Sequence, residues 1–184
     1  MNKESIRRRV KARKQLLIET ERIKAAESVF RRLEQLAAFH VSEKILMYHS
    51  LPDELSTISF LDKWHNSKRF FLPRVNGVNL DILPYEQTSL KIGAFHIEEP
   101  TGNDISDISE IELIIVPAVA YDRKGNRVGR GKGYYDRLLA ESNALKIGIG
   151  YDFQLVDEID TEEHDIPVDI VITESDTLIL RHKR

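Results

Sequence analysis

The stretch that most constrains this chain runs from Ile114 to Leu139, IIVPAVAYDRKGNRVGRGKGYYDRLL. A short apolar run, Leu113 to Val116, stops at Pro117, as a buried parallel strand does. After Tyr121, Asp122 and a polar loop come three glycines at alternate positions, Gly129, Gly131 and Gly133. Tyr134, Tyr135, Asp136, Arg137, Leu138 and Leu139 then read as the first turns of a helix. Glycines let the backbone bend so that its N–H groups converge, and a helix N-terminus adds a partial positive charge. Arg127, Arg130 and Lys132 add full charges around the same loop. The expected guest is a phosphate chain. For the glycines alone, a tight turn flanked by solvated cations is the simpler alternative.

The spacing excludes two common phosphate motifs. A P-loop needs G-x-x-x-x-G-K-[ST], and no Ser or Thr follows Lys132. A dinucleotide fingerprint needs G-x-G-x-x-G directly after its strand, whereas this is G-x-G-x-G with about a dozen residues between. Cysteine is absent, which removes disulfides, thiolate nucleophiles and Cys-based zinc sites together. A net charge of -3 gives no global bias toward nucleic acid or membrane. No apolar run approaches a membrane span, and the charged N-terminus is unlike a secretory signal, so a cytoplasmic protein is expected. With 184 residues, one domain over 1–184 is the natural division.

Residues 3 to 38 read as two helices with a break near Thr20, from apolar positions at helical spacing. The first fourteen residues hold seven cations, Lys3, Arg7, Arg8, Arg9, Lys11, Arg13 and Lys14, against Glu4. No aromatics interleave with them, which counts against a stacking platform for single strands. Most are expected to be solvated, while Lys3 and Arg7, one helical turn apart, can reach a common anion. Lys44 to His49 reads as a strand whose C-terminal loop carries Asp53 and Glu54. Capping of a helix over Ile58 to Trp64 is the simpler role for both acids, and a ligand contact from Glu54 is the alternative.

Strands are further expected over Arg69 to Val75, ending at Pro73-Arg74, then Leu80 to Tyr85, Lys146 to Gly150, and Asp169 to Thr173. Leu178 to Leu180 is a small final edge, and Gly93 to Gly102 is a loop that carries function or wraps an edge. Strands alternating with helices predict an α/β sandwich with a mainly parallel sheet. The six histidines show no metal-like spacing. Mg²⁺, which travels with nucleotide phosphates, takes oxygen ligands from one or two carboxylates. Asp136, directly after the glycine loop, and Asp165, after the adjacent strand, are candidates. Helix-dipole stabilisation and turn formation are their simpler roles.

VPAVAYDRKGNRVGRGKGYYDR resembles the signature of the 5-formyltetrahydrofolate cyclo-ligase family, also called methenyltetrahydrofolate synthetase. The resemblance extends to the basic N-terminal helix from Lys3, to YHSLPDELST, LPRV, the IEEP loop and EHDIPVD. His96 departs from it, standing where a small residue is expected, and Ala118 replaces a frequent glycine. The resemblance implies the three-layer α/β/α sandwich shared with sugar-phosphate isomerases and CoA transferases. It implies conversion of 5-formyltetrahydrofolate to 5,10-methenyltetrahydrofolate, with ATP as co-substrate and Mg²⁺ as cofactor. Carried onto this chain, ATP falls to Lys3, Glu4, Ser5, Ile6, Arg7, Arg127, Val128, Gly129, Arg130, Gly131, Lys132, Gly133, Tyr134 and Tyr135. Folate falls to His49, Glu54 and Arg130 to Tyr134, with Glu54 meeting the donor edge of the pterin. Arg130, Lys132 and Tyr134 are the implied catalytic residues, and Asp136 and Asp165 the implied metal ligands. Small-molecule substrates are then the partners, with no nucleic acid and no membrane, on a monomer or weak homodimer.

Two rival readings keep part of this pattern. A sugar-phosphate isomerase or CoA-transferase relative would bind phosphate or CoA without hydrolysing ATP. A nucleic-acid module built on the N-terminal cations would bind in a strongly salt-dependent way and ignore ATP.

Overall fold

The computed structural model describes residues 1–87, 89–93 and 96–180. Helices form at Lys3–Gln15 (α1), Glu19–Glu34 (α2), Ala37–Val41 (α3), Ile58–Trp64 (α4) and Tyr134–Ala140 (α5). The strands are Lys44–Leu46 (β1), Arg69–Asn76 (β2), Asn79–Pro84 (β3), Leu90–Ile92 (β4), Glu98–Pro100 (β5) and Leu113–Val116 (β6). They continue with Ala120–Asp122 (β7), Arg127–Val128 (β8), Leu145–Ile149 (β9), Leu155–Val156 (β10), Ile170–Ile172 (β11) and Thr177–Ile179 (β12).

The main sheet has seven strands in the order β12-β11-β9-β6-β1-β2-β3. Its five inner strands are parallel, and β3 and β12 close the edges as antiparallel hairpin partners. Because successive side chains of a strand point to opposite faces, the sheet feeds two cores. Ile45, Phe70, Leu72, Ile115, Ile147 and Ile172 pack with Val29, Phe30, Leu33, Phe39, Phe60 and Leu61 of α2 to α4. Leu46, Phe71, Ile114, Val116 and Val171 pack on the other face with Leu138 and Leu139 of α5. A third cluster, Ile6, Val10, Ala120, Val128, Val156 and Ile159, welds α1 to a small sheet ordered β10-β7-β8.

Several element boundaries differ from the sequence reading. The first helix break falls at Leu16 to Ile18 rather than near Thr20, because Ile18 is extended and Glu21 accepts from its N–H at 3.2 Å. β1 ends at Leu46, since the chain turns away to let Thr57 Oγ1 donate to the Tyr48 carbonyl at 2.8 Å. β2 runs through Pro73 to Asn76. β1 pairs only with Arg69 to Phe71, so the Pro73 nitrogen faces an open side where no ladder donor is required. The two-residue turn Gly77-Val78 then leads into β3, with Gly77 left-handed at φ 62°. β7, β8 and β10 had no sequence signal beyond a polar loop, being only two or three residues long. Of the predicted 93–102 loop, Glu98 to Pro100 pairs with β4, while Ala94 and Phe95 lie outside the described residues. No helix among the described residues is long and apolar enough to cross a membrane.

Candidate active site

Chain order runs from β1 outward to β2, then back across to β6 and on to β9. The reversal leaves β1 and β6 as neighbours, with Ile45 opposite Leu113 and Leu46 opposite Ile114. Crevices outside the carboxyl ends of strands at such a reversal are where open α/β sheets bind ligands. The loop after β1 carries Asp53 and Glu54, and the loop after β6 carries the three glycines. The topology therefore brings the two together, which no spacing in the sequence shows. Arg130 Nη2 lies 2.9 Å from Glu54 Oε1 and 3.5 Å from Asp53 Oδ1.

The capping role first favoured for these acids is not what the structure contains. Thr57 is the N-cap of α4 and makes no side-chain cap bond. Leu55 is buried and Thr57 is held on Tyr48, which keeps Asp53 and Glu54 away from the helix start. Glu54 Oε2 instead accepts from Leu51 N–H at 2.9 Å and fixes its own loop. Asp53 accepts from Lys14 Nζ at 3.3 Å. Burial alone would push the Asp53 carboxyl up, but Lys14 and Arg130 outweigh it and hold it below the ordinary range.

The glycine loop is seated by α1. Ile6 and Val128 are both fully buried in the third cluster, so their side chains serve packing, and that packing sets Arg7 against the loop. Arg7 Nε donates to the Gly129 carbonyl at 2.9 Å, and its Nη2 lies 3.7 Å from where a Cβ on Gly131 would stand. Gly131 and Gly133 are left-handed at φ 98° and 70°, as the turn into α5 requires. Asn2 caps α1 by accepting from Glu4 N–H at 2.8 Å and Ser5 N–H at 3.4 Å. Of the seven N-terminal cations, Lys3, Arg7 and Lys14 turn inward, while Arg8, Arg9, Lys11 and Arg13 are exposed.

Arg127 is not a solvated loop cation. Its side chain is 4% exposed and its Nη2 is bonded to Asp136 Oδ1. That carboxylate also accepts from Ile166 N–H at 3.2 Å, so the ion pair locks the start of α5 to β8 and to the 162–166 loop. The same contact brings the Asp136 carboxylate to the backbone amide that follows Asp165. Lys3 Nζ reaches Asp165 Oδ2 at 2.7 Å and Glu162 Oε2 at 3.3 Å. Glu162, His164 and Asp165 present ligand atoms within 4.8 Å of one another, a grouping that histidine spacing did not reveal. The bonds to Asp136 fall on Oδ1 and the short ones to Asp165 on Oδ2, which leaves a second oxygen of each carboxylate outside these bonds.

Tyr135 points inward, with its hydroxyl and Arg127 Nε both buried and unpartnered among the described residues. Burial, reinforced by the Glu54 carboxylate, pushes the Tyr135 and Tyr48 phenols well above their ordinary pKa, so both are neutral donors. Tyr134 donates to the Gly77 carbonyl at 3.4 Å, and Arg137 bonds the carbonyls of Val78 and Lys132, so the β2–β3 turn is tied to the glycine loop. His49 Nε2 stands 3.2 Å from Glu98 Oε2, which draws the β4–β5 hairpin to the end of β1. His96 is the one described non-glycine residue at positive φ, 58°, at the position where a small residue is expected. A groove of about 700 Å³ lies between α2 and α4; it shares Leu51 and Glu54 with this site but no glycine-loop residue.

Sequence reasoning missed two contributors. Lys14 follows Ile6 and Val10 at intervals of four, and a cation continuing a buried stripe was the available signal. Arg137 carried none.

The chain is 33% identical to 5-formyltetrahydrofolate cyclo-ligase of Escherichia coli (strain K12) over 145 residues, covering 73% of this chain and 80% of that protein. It is 30% identical to the Haemophilus influenzae 5-formyltetrahydrofolate cyclo-ligase over 159 residues, covering 80% and 85%. The NMR structure of Aquifex aeolicus 5,10-methenyltetrahydrofolate synthetase matches with a TM-score of 0.89 at 34% identity, over 99% of this chain and 94% of that one. The Mycoplasma pneumoniae 5,10-methenyltetrahydrofolate synthetase shares the fold, with a TM-score of 0.76 at 22% identity over 95% and 99%. Residues 1–174 match the 5-formyltetrahydrofolate cyclo-ligase family, as the glycine-loop signature implied, and the chain belongs to that family of enzymes.

Proposed function

We propose that this protein converts 5-formyltetrahydrofolate to 5,10-methenyltetrahydrofolate at the expense of ATP, releasing ADP and phosphate. The observation that carries this reading is the meeting of Arg130 with Glu54, which joins the glycine loop to the loop after β1 in a member of the family. In this reading the formyl oxygen attacks the γ-phosphorus, an O–P bond forms, and the bond to ADP breaks. The neighbouring folate nitrogen then attacks the activated carbon and phosphate leaves. No protein nucleophile is needed; positioning and charge neutralisation are.

The roles are those the family resemblance implies, and the placement of these residues supports them. Glu54 takes the donor edge of the pterin, and His49 borders the same end of β1. Backbone N–H groups of Gly129 to Gly133 cradle the phosphates, with Lys3 to Arg7 alongside and Arg127 to Tyr135 as the wall. Arg130 and Lys132 offset the charge on the transferring phosphoryl, and Tyr134 stands between the substrates. Asp136 and Asp165 supply carboxylate oxygens that suit Mg²⁺ better than soft metals. Bound there, Mg²⁺ would neutralise phosphate charge. The whole chain acts as one domain in the cytoplasm, as a monomer or weak homodimer.

The test is formation of methenyltetrahydrofolate, followed by absorbance, from 5-formyltetrahydrofolate with and without Mg-ATP. ATP-dependent product is expected. Folded protein that makes none would overturn the reading and redirect attention to sugar phosphates and CoA esters.

A further inference from the structure

Arg130 is held by acids that also have other partners. Its guanidinium is 53% exposed, on a left-handed glycine loop, and its 2.9 Å contact is with Glu54, whose side chain is 17% exposed. The second acid, Asp53, is farther away at 3.5 Å and is shared with Lys14, which is 9% exposed and 3.3 Å from it. Glu54 Oε2 is committed to Leu51 N–H, so Oε1 is the oxygen that Arg130 occupies. Any pterin edge donating to Glu54 meets Arg130 already there.

We infer that Glu54 parks Arg130 away from the phosphate chain, and that folate, by taking Glu54, hands Arg130 to the nucleotide. This rests on the assignment of Glu54 to folate and Arg130 to ATP made above. The Lys14–Asp53 pair decides whether the transfer completes. With Asp53 neutralised by an almost buried lysine, its remaining pull on Arg130 is weak, so losing Glu54 is enough to release the guanidinium. Arg22 holds the loop in this arrangement by donating to the Pro52 carbonyl at 3.0 Å and the Lys14 carbonyl at 3.1 Å. Lys14 and Asp53 are thus positioning residues for Arg130, outside the residues assigned to either substrate.

A partly exposed charge-assisted pair competing with one ligand contact gives coupling of about three- to tenfold in affinity. By linkage, folate tightens nucleotide binding and the nucleotide tightens folate by the same factor. The affinity for a non-hydrolysable ATP analogue with Mg²⁺, measured by calorimetry with and without saturating 5-formyltetrahydrofolate, reads this directly. In the native protein, folate should tighten the analogue about three- to tenfold. Glu54→Gln without folate should bind the analogue as tightly as the native protein does with folate. Lys14→Met leaves Asp53 unneutralised and should reduce the coupling below about twofold; unchanged thermal unfolding of Glu54→Gln confirms that its result does not come from misfolding. If Glu54→Gln leaves the analogue affinity at or below the native folate-free value while native enzyme still forms methenyltetrahydrofolate, the hand-over is wrong and the reaction stands. If native protein neither binds the analogue nor forms product, the reaction assignment fails and the hand-over falls with it.

Discussion

Ala120 to Val128 and Gly129 to Tyr134 are consecutive parts of one signature, yet they put their charges to opposite uses. In the first part Asp122 is completely buried and accepts from Lys124 N–H, Asn126 N–H, Asn126 Nδ2 and Ile159 N–H at 2.9 to 3.1 Å. Arg127 is buried against Asp136. Tyr121 is sealed over Gly148, where a Cβ would lie 2.2 Å from its ring, and its hydroxyl donates to the Val116 carbonyl. In the second part Arg130 and Lys132 are exposed, and Arg130 sits on partners that ligands can displace. Charges fully bonded by the protein hold a shape; charges bonded by exchangeable partners are available for chemistry. Residue type alone does not separate the two.

Substitutions on either side should split stability from turnover. The largest effect is expected from Asp122→Ala, which removes a fully buried carboxylate and leaves three backbone donors without their acceptor, at a cost of about 3–5 kcal/mol. Urea unfolding should show the loss as a lower midpoint, and a near-native midpoint would mean the turn reorganises without Asp122. Lys132→Ala should instead lower turnover about a hundredfold, close to 3 kcal/mol in barrier, with stability changed by less than about 0.5 kcal/mol. Comparable turnover in the variant would remove Lys132 from the phosphoryl site. Gly148→Ala is next, at about 1–3 kcal/mol of stability, because the Tyr121 ring is enclosed and cannot yield to a new methyl. A native melting temperature would show that the ring does move.

How much of this was legible follows the same division. The parallel strands were readable because burial on both faces writes continuous apolar runs such as Leu113 to Val116. The glycine loop and the start of α5 were readable because φ above zero and a helix start leave a local record. β7, β8 and β10 were not, since two- and three-residue strands hold too few side chains for a period. Arg127 was misread as a loop cation because its environment is set by Asp136 and by the third core, both remote from any local pattern. The Arg130–Glu54 contact was likewise out of reach: it depends on β1 and β6 being neighbours, a fact of topology that 76 residues of separation conceal. The resemblance supplied the residue set; the sheet order explains why two of its members, Arg130 and Glu54, meet.

The smallest of these effects concerns an ion pair outside both stretches, between two residues proposed to face the nucleotide and its metal. Lys3 Nζ and Asp165 Oδ2 are 2.7 Å apart and tie α1 to the 162–166 loop. Burial would raise the Asp165 carboxyl, but Lys3 and the Glu162 N–H outweigh it, leaving its pKa below the ordinary value near 3.8. A depressed carboxylate contributes stability above its unfolded pKa and loses it as the pH falls through the folded one. Lys3 moves the other way: burial opposes its charge, the two acids prevail, and its raised pKa matters only above about pH 10. The pair should therefore be fully effective at neutral pH and fade below about pH 4. Several other carboxylates, Asp53 and Asp152 among them, are also depressed, so acid unfolding of the native protein alone cannot isolate it. The difference between native protein and Asp165→Asn can, provided Mg²⁺ is left out so that only the Lys3 contact is read. That difference should be constant from about pH 8 to 5 and shrink as the pH falls below about 4, through the depressed folded-state pKa of Asp165. A gap that persists unchanged well below about pH 4 would show that the stabilisation does not depend on the Asp165 charge and so does not come from the Lys3 pair.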